Sequence, residues 1–371
     1  MKIKFGQDRV LTSQEIGRRF SILRTALALL LAMGIAILLI FLVSNNPFRD
    51  INSLLLGPLS SSNRISQMVN KWIPLLFTGT AVCLFFSVGQ INLAAEGAFF
   101  AGAFTSTLVA IIGGIPPGLH FILCALAGGV AGAIVCGLPG IMYTKFNVLT
   151  VVSSLMINYV VLYLGLFIIT NVVRDPAAGY EASYRFQNTA RLAELIPGTN
   201  VHSGLIIAVL IVVFGYLLLH KSNFGLQMRT IGANSSFARY SGMPVARVIV
   251  LSQLLGGFIA GLGGTTEVLG LYNRFGYTGL TNHGWDGIML AVLARNNPKY
   301  IPLAALFLAY LRTSADVLNL TSNVPSEVIN IIQAIIISFI AAERFLAGWE
   351  YRTIVRNTEK AMSLKEGVAN E

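Results

Sequence analysis

Long apolar runs alternate with short polar connections along most of the chain. A helix needs about 20 mostly apolar residues to cross a bilayer, because its backbone N–H and C=O groups must be satisfied within the segment. The chain contains ten apolar runs, and the eighth is too short to span the bilayer. They predict an all-α, polytopic membrane helix bundle of about ten transmembrane or re-entrant segments. The runs are Thr25–Val43, Trp72–Val88, Leu93–Ile112, Leu119–Met142, Val148–Val173, Gly204–Leu219, Val248–Gly270, Trp285–Ala294, Ile301–Leu320 and Val328–Ala342.

The charge distribution gives this bundle an orientation. The chain is 55% hydrophobic, only 11% charged, and carries a net charge of +10. On a soluble protein this charge would suggest nucleic acid, but here the basic residues lie in short loops between apolar runs, as the positive-inside rule describes. Most of the 26 basic residues fall on the side of both termini. We therefore expect a lipid bilayer, no nucleic acid, and both termini in the cytoplasm.

The same pattern divides the chain into segments. We expect a cytoplasmic N-terminal segment over residues 1–24, a transmembrane domain over 25–346 and a cytoplasmic tail over 347–371. The longest outer connection, 174–200, is either a small partner-docking cap or an ordinary solvated loop. The inner loop 220–247 is basic and contains no acidic residue. Positive-inside bias alone could account for that loop, and so could a docking surface.

Small residues recur every four positions in two of the runs. Gly128 and Gly132 have this spacing in the fourth segment, as do Gly257 and Gly261 in the seventh. Such faces let helix backbones approach closely in lipid, where no hydrophobic force drives association. They predict a compact bundle, with or without a role in transport.

Ionisable residues inside the apolar runs are the candidate functional groups. Such a side chain costs several kcal/mol at mid-membrane, so it usually faces a cavity or a partner. Arg312 and Asp316 are four residues apart, which predicts an intramembrane ion pair on one helix face. Glu96 and Asp286 lie where helices begin, so each either lines a pathway at a discontinuous helix or caps its own helix. The full set is Glu96, Glu267, Asp286, Arg312, Asp316 and Glu327.

No constellation for catalysis is visible. The sequence lacks the G-x-x-x-x-G-K-[ST] phosphate loop, the H-E-x-x-H zinc motif and the G-x-S-x-G nucleophile elbow. Its four histidines are scattered at segment ends, and its three cysteines lack the close spacing of a zinc site. We expect no catalytic residue, no metal site and no cofactor bound by this chain.

Four stretches occur in order along the chain: Gly89-Gln90-Ile91-Asn92-Leu93-Ala94-Ala95-Glu96-Gly97, the motifs between Gly232 and Gly270, Trp285 through Pro298, and Val328 to Gln333. Together they resemble the permease subunits of bacterial ABC importers, in the nucleoside and simple-sugar branch of the ribose and branched-chain amino acid permease family. The likeness covers roughly Trp72 to Leu346. It departs from the family pattern at Ala94, where glycine is usual, and at Val292-Leu293-Ala294, where Leu-Leu-Gly is typical.

The resemblance implies a pore-forming subunit, without enzymatic activity, in the bacterial cytoplasmic (inner) membrane. Its partners would be a second permease, expected to be an unlike homologue, a cytoplasmic ABC ATPase that binds the ATP, and an extracytoplasmic solute-binding lipoprotein. The solute would be a nucleoside, with a simple sugar or a flavin as alternatives.

The resemblance also suggests roles for particular residues. A short helix around Ser235 to Ser241 would be the coupling helix that meets the ATPase. Its expected contact residues are Gly232, Asn234, Ser235, Arg239, Tyr240 and Gly242. The expected substrate-pathway residues are Asn92, Glu96, Asn158, Glu267 and Asp286.

Two other classes of function remain open. A proton-coupled secondary transporter could use Glu96, Glu267 and Asp286 as a relay. A scaffold or assembly factor would move no solute at all.

Overall fold

The computed structural model describes residues 31, 34–35, 37–44, 46–196, 198–322, 328, 331, 334–335 and 338. The expected N-terminal segment and tail therefore lie outside the described residues. So do most of the first and last apolar runs, including Glu327 and most of the stretch 328–333.

The described residues between 53 and 317 form one compact unit, and the described residues before 53 and after 317 belong to another. In the second unit, the Ser44 hydroxyl donates to Asp50 Oδ2 at 2.6 Å. The rings of Phe41 and Phe48 meet edge to face with centroids 5.5 Å apart.

Helices make up most of the described chain. They are α1 (Pro47–Leu56), α2 (Ser62–Ser87), α3 (Ala95–Ala110), α4 (Leu119–Phe146), α5 (Thr150–Asn171), α6 (Gly204–Lys221), α7 (Asn223–Ala233), α8 (Ser235–Tyr240), α9 (Val245–Leu271), α10 (His283–Leu293) and α11 (Ile301–Thr321), with short 3-10 turns at Gly57–Leu59, Pro176–Ala178 and Pro298–Tyr300. Between residues 46 and 322, Pro197 excepted, β-structure is limited to two isolated bridges, Arg174 with Ser183 and Glu194 with His202. The predicted all-α membrane bundle is confirmed.

Among the residues that the structure describes, six helices are long and apolar enough to cross a membrane: α2, α4, α5, α6, α9 and α11 with the turn before it. The 16 residues of α3 and the 11 residues of α10 are shorter. At 1.5 Å per residue, α10 covers roughly half of a 30 Å hydrocarbon core. The prediction that the eighth apolar run is too short to span is therefore confirmed.

Helix α2 begins ten residues before the apolar run that predicted it. The Ser61 side chain caps its first turn by accepting from the Arg64 N–H. These early turns are polar, so apolar periodicity does not mark them. The extension places Lys71 on a helix, although it precedes the predicted apolar run by one residue.

Helix α9 packs against α2, α3 and α4. Gly257 and Gly261 of α9 face Gly128 and Gly132 of α4 so closely that an added Cβ would collide with the opposing backbone. Gly264 approaches the Phe99 carbonyl of α3 in the same way. The predicted close approach at these glycines is confirmed.

Candidate functional site

The link between α2 and α3 is a non-helical segment inside the bundle. Gly89 begins it with φ at +73°, a conformation that glycine adopts without strain. The buried Asn92 side chain donates to Gln253 Oε1 at 2.7 Å and to the Cys136 carbonyl at 3.1 Å. Its own oxygen accepts from Ala94 N at 2.8 Å. Asn92 thus satisfies backbone and amide groups that would otherwise lack partners in a medium without water.

Two side chains of α5 complete this arrangement. Asn158 donates to the Leu93 carbonyl at 3.0 Å and accepts from the Gly97 N–H at 2.9 Å. Ser154 accepts from Leu93 N at 3.0 Å. We call the buried group Asn92, Ser154, Asn158 and Gln253 the amide hub. Each of its buried side-chain nitrogen and oxygen atoms has a hydrogen-bond partner.

Glu96, on α3, caps a different helix. Its two oxygens accept from Asn282 N and Gly284 N, both at 2.6 Å, and Thr281 Oγ1 adds a contact at 3.3 Å. The first turn of α10 needs this help, because Asn282 at its N-cap has φ of 65° and no capping side-chain bond. A carboxylate is favoured there by the α10 dipole and by the start of α3.

These contacts give three predicted pathway residues a structural role. Asn92, Glu96 and Asn158 are at most 2% exposed and have hydrogen-bond partners, so in this structure they connect neighbouring helices; their role in the solute pathway stays a prediction. The prediction that each carboxylate caps its own helix is wrong for Glu96. Sequence spacing could not show this, because the capped N–H groups lie more than 180 residues away.

A second polar group connects α9, α10 and α11. His283 Nε2 lies 3.0 Å from Glu267 Oε2 and 3.3 Å from Oε1. On the other side of the ring, Nδ1 lies 4.0 Å from Asp286 Oδ2. The Arg312 guanidinium donates to Asp286 Oδ1 at 2.7 Å. Acidic and basic groups therefore alternate across three helices.

The predicted Arg312–Asp316 pair is not formed. Arg312 reaches across to Asp286, and Asp316 pairs with Lys71 of α2. Lys71 also donates to the Arg312 carbonyl at 3.3 Å. The long Arg312 side chain favours the nearly buried Asp286 because a buried carboxylate without a counter-charge is costly.

We call Glu267, His283, Asp286, Arg312, Asp316 and Lys71 the charged strip. Its outer members are open: the Asp316, Lys71 and Arg312 side chains are 53%, 31% and 29% exposed. Charged side chains on spanning helices face water or protein rather than lipid. The open side of the strip is therefore suited to a water-filled path or to a protein partner.

Sequence reasoning missed His283 and Lys71. It grouped His283 with scattered histidines at segment ends. The available signal was its position three residues before Asp286, which places both side chains on one face if the helix begins at His283. The sequence signal for Lys71 was weaker than that for His283, because nothing in its own segment indicates that Asp316 is its partner.

The outer connection 174–200 is ordered against neighbouring segments. Ser183 exchanges hydrogen bonds with Phe275 at 3.0 Å, through its N–H and its hydroxyl oxygen. Asp175 forms an ion pair with Arg274 at 3.1 Å, and Gln187 N donates to the Ala110 carbonyl. These bonds make the connection a fixed cap rather than a free loop.

At the opposite end of α9 lies the predicted short helix. The structure places α8 there, and the Asn234 side chain caps it by accepting from Phe237 N at 2.9 Å. Gly242 ends the turn with φ of 77°. Gly232 packs directly against the backbone at Ser87, so a Cβ there would collide.

The face of α8 that points away from the bundle is highly exposed to solvent. Tyr240 is 93% exposed and Phe237 is 59% exposed, whereas Ala238 packs inward. Arg239 and Ser235 border a cleft of about 440 Å³ that reaches Gln90 in the α2–α3 link. A rigid helix with exposed aromatic groups is a suitable contact surface for another protein.

Among the described residues, no cluster of His, Cys, Asp and Glu could hold a metal ion. The three cysteines are buried and separate.

Comparison with known proteins gives the family. The sequence matches the family described as "Branched-chain amino acid transport system / permease component" over residues 64–341. The glucose ABC transporter permease protein TsgB13 of Haloferax volcanii is 30% identical over 86% of this chain and 86% of its own length. The guanosine ABC transporter permease protein NupP of Bacillus subtilis is 31% identical over 76% of this chain and 83% of its own length.

A second guanosine permease of the same organism, NupQ, is 24% identical over 65% of this chain and 77% of its own length. No solved structure matches. The family match extends over most of the chain and includes the amide hub, the charged strip and α8. The chain is a multi-pass membrane protein that belongs to the permease family of ABC transporters for branched-chain amino acids and related solutes.

Proposed function

We propose that this chain is one of two permease subunits of an ATP-driven importer for nucleosides in the bacterial cytoplasmic membrane. A separate cytoplasmic ATPase binds and hydrolyses the ATP, and an extracytoplasmic lipoprotein delivers the solute. This chain contributes half of the gate and no chemistry of its own. The observation that carries the proposal is the exposed, capped helix α8 in a basic loop of a family permease.

Helix α8 is placed to transmit movement. Its Asn234 cap and the Gly232 contact with Ser87 fix it to the inner end of α2, and α7 joins it to α6. A rigid element held in this way moves as a body when a partner pushes on it. Closure of the ATPase would therefore shift α2 and the α2–α3 link.

The second permease is proposed to be an unlike homologue. Bacillus subtilis has two guanosine permeases, and this chain is 31% identical to NupP but 24% identical to NupQ. A chain that resembles one member of such a pair more closely is expected to pair with a counterpart of the other.

The nucleoside assignment rests on relatives from two bacteria that are named as guanosine or nucleoside permeases. The glucose permease TsgB13 and the probable riboflavin permease RfuC keep sugars and flavins as alternatives. All three solute classes are polar and hydroxylated. The charged strip provides hydrogen-bonding groups that suit such solutes.

Reconstitution tests this proposal. The assembled transporter in liposomes should accumulate guanosine only with ATP, and a protonophore should not stop it. Uptake without the ATPase that a protonophore abolishes would instead establish a proton-coupled carrier. Absence of flux under either energy source would indicate a scaffold.

Substitution of Arg239 by Glu together with Tyr240 by Ala tests the docking helix. Both side chains lie on α8, and Tyr240 makes almost no contact within the chain. ATP-dependent uptake should fall at least tenfold, while the permease stays monodisperse in detergent. The control is Lys221→Glu, which makes the same charge change at the end of α6. If the double variant still binds and couples the ATPase, α8 is not the docking element.

A further inference from the structure

Unsatisfied polar atoms are concentrated in the charged strip. Seven buried side-chain atoms lack a hydrogen bond within the described part of the chain. Four of these are neighbours: Glu267 Oε2, Tyr277 Oη, His283 Nδ1 and Asp286 Oδ2. Glu267 Oε2 nevertheless lies 3.0 Å from His283 Nε2, so the clearest unpaired atoms of the strip are His283 Nδ1 and Asp286 Oδ2. The amide hub, equally deep in the bundle, has none. Unpaired polar atoms inside a membrane protein are costly, so His283 Nδ1 and Asp286 Oδ2 are suited to binding a further hydrogen-bonding group.

Two of the four atoms face each other. His283 Nδ1 and Asp286 Oδ2 are 4.0 Å apart, too far for a direct hydrogen bond. One oxygen atom can, however, lie about 2.8 Å from both, which is the ordinary length of such a bond. The gap therefore fits a single hydroxyl or water oxygen.

A hydroxyl group can complete the hydrogen bonds across this gap. His283 Nε2 faces the Glu267 carboxylate and donates a proton to it. With a proton on Nδ1, the ring donates to the hydroxyl oxygen, and the hydroxyl donates its own proton to Asp286. A water can make the same two bonds, and the uptake assay distinguishes it from a solute hydroxyl.

The place has a partly exposed border and an apolar side. The His283 and Arg312 side chains are 14% and 29% exposed, whereas His283 Nδ1 and Asp286 Oδ2 are themselves buried, so a solute reaches them only when the bundle opens. The His283 ring lies 4.9 Å from Phe99, and Tyr272, which is 42% exposed, packs edge-on against Tyr277 at 5.7 Å. Aromatic surfaces beside hydrogen-bonding groups suit the faces and edges of a sugar ring.

We propose that His283 Nδ1 and Asp286 Oδ2 bind one hydroxyl group of the solute, and that Glu267 is the positioning residue that orients His283. The ligand class is a sugar or the ribose of a nucleoside. The permease itself, and not only the binding protein, then selects hydroxylated solutes. This inference rests on the proposed function as an importer of such solutes.

Two substitutions of His283 distinguish the role of ring nitrogen Nδ1 from that of Nε2. Glutamine places its amide near the Nε2 position, so His283→Gln keeps the contact with Glu267 and loses the group that meets the hydroxyl. Asparagine places its amide near the Nδ1 position, so His283→Asn does the reverse. The two variants are similar in polarity and both remove the ring, which makes each the control for the other.

The assay compares ATP-driven uptake of guanosine with that of 2′-deoxyguanosine and 3′-deoxyguanosine by the complete transporter. The binding protein is the same throughout, so its own preference cancels when variants are compared with wild type. A hydrogen bond to a charged group corresponds to about ten- to a hundredfold in rate or affinity. His283→Gln should reduce the preference for guanosine over one deoxy analogue by about that factor. His283→Asn should keep most of the preference, although total uptake falls.

An unchanged preference in a well-assembled His283→Gln transporter would overturn the inference. So would an equal loss of uptake for all three solutes, because that result assigns the gap to a structural water. Should His283→Gln fail to assemble, a lost preference in His283→Asn still overturns the inference. Failure of the proposed function looks different, since wild type itself would then show no ATP-driven nucleoside uptake.

Discussion

The amide hub and the charged strip contain similar polar residues that are buried to a similar degree, but the two groups serve different purposes. Asn92, Asn158 and Glu96 are fully hydrogen-bonded to backbone groups at helix ends. The strip instead leaves buried atoms of His283 and Asp286 without a hydrogen bond and opens toward Asp316. A polar residue in a membrane bundle is therefore structural when its partners are complete. It becomes a candidate for transport when they are not.

Loss of the Glu96 cap should have the largest effect on stability. Glu96→Leu leaves the Asn282 and Gly284 N–H groups without acceptors in a dry interior. Each such group costs about 1–3 kcal/mol, so the free energy of unfolding should fall by about 2–6 kcal/mol. An SDS titration of the purified permease in mixed micelles measures this. Glu96→Gln, which keeps one acceptor oxygen, should fall between wild type and Glu96→Leu; no loss in either variant would refute the capping role.

Removal of Arg312 should have the next largest effect. Arg312→Leu leaves Asp286 buried without its counter-charge, which costs about 3 kcal/mol in the free energy of unfolding, near the lower end for buried pairs. Transport should also be lost. The double variant Asp286→Asn with Arg312→Gln should regain most of the stability because no charge remains uncompensated. A double variant no more stable than Arg312→Leu would show that the pair is not the cause.

The Lys71–Asp316 pair should matter least for stability. Both side chains are substantially exposed, and exposed ion pairs contribute about 0.2–1 kcal/mol. The double substitution Lys71→Ala with Asp316→Ala should therefore change the free energy of unfolding by less than about 1 kcal/mol. Uptake of guanosine should nevertheless fall several-fold if the pair lies beside the solute path. A large loss of stability with normal uptake would show that the Lys71–Asp316 pair stabilises the fold and has no role in transport.

The contrast between local and long-range contacts also explains which features could be predicted from the sequence. Apolar periodicity located α4 and α6 within a few residues, and the small-residue spacing identified closely packed faces on α4 and α9, but not that these two faces meet. These features depend on residues close together in the chain. The cap that Glu96 gives to α10 and the reach of Arg312 to Asp286 depend on tertiary folding. The spacing of side chains within one segment therefore cannot predict these two contacts.

Solvent access in the working transporter tests the comparison most directly. Asp316→Cys in the strip and Ser154→Cys in the hub are compared for labelling by a water-soluble maleimide, with and without guanosine. The three native cysteines are buried, so background labelling should be low. We expect Asp316→Cys to label quickly and to be protected by guanosine, and Ser154→Cys to remain unlabelled. Equal labelling at both positions, or labelling at Asp316→Cys that guanosine does not slow, would contradict the assignment of the strip to the solute path.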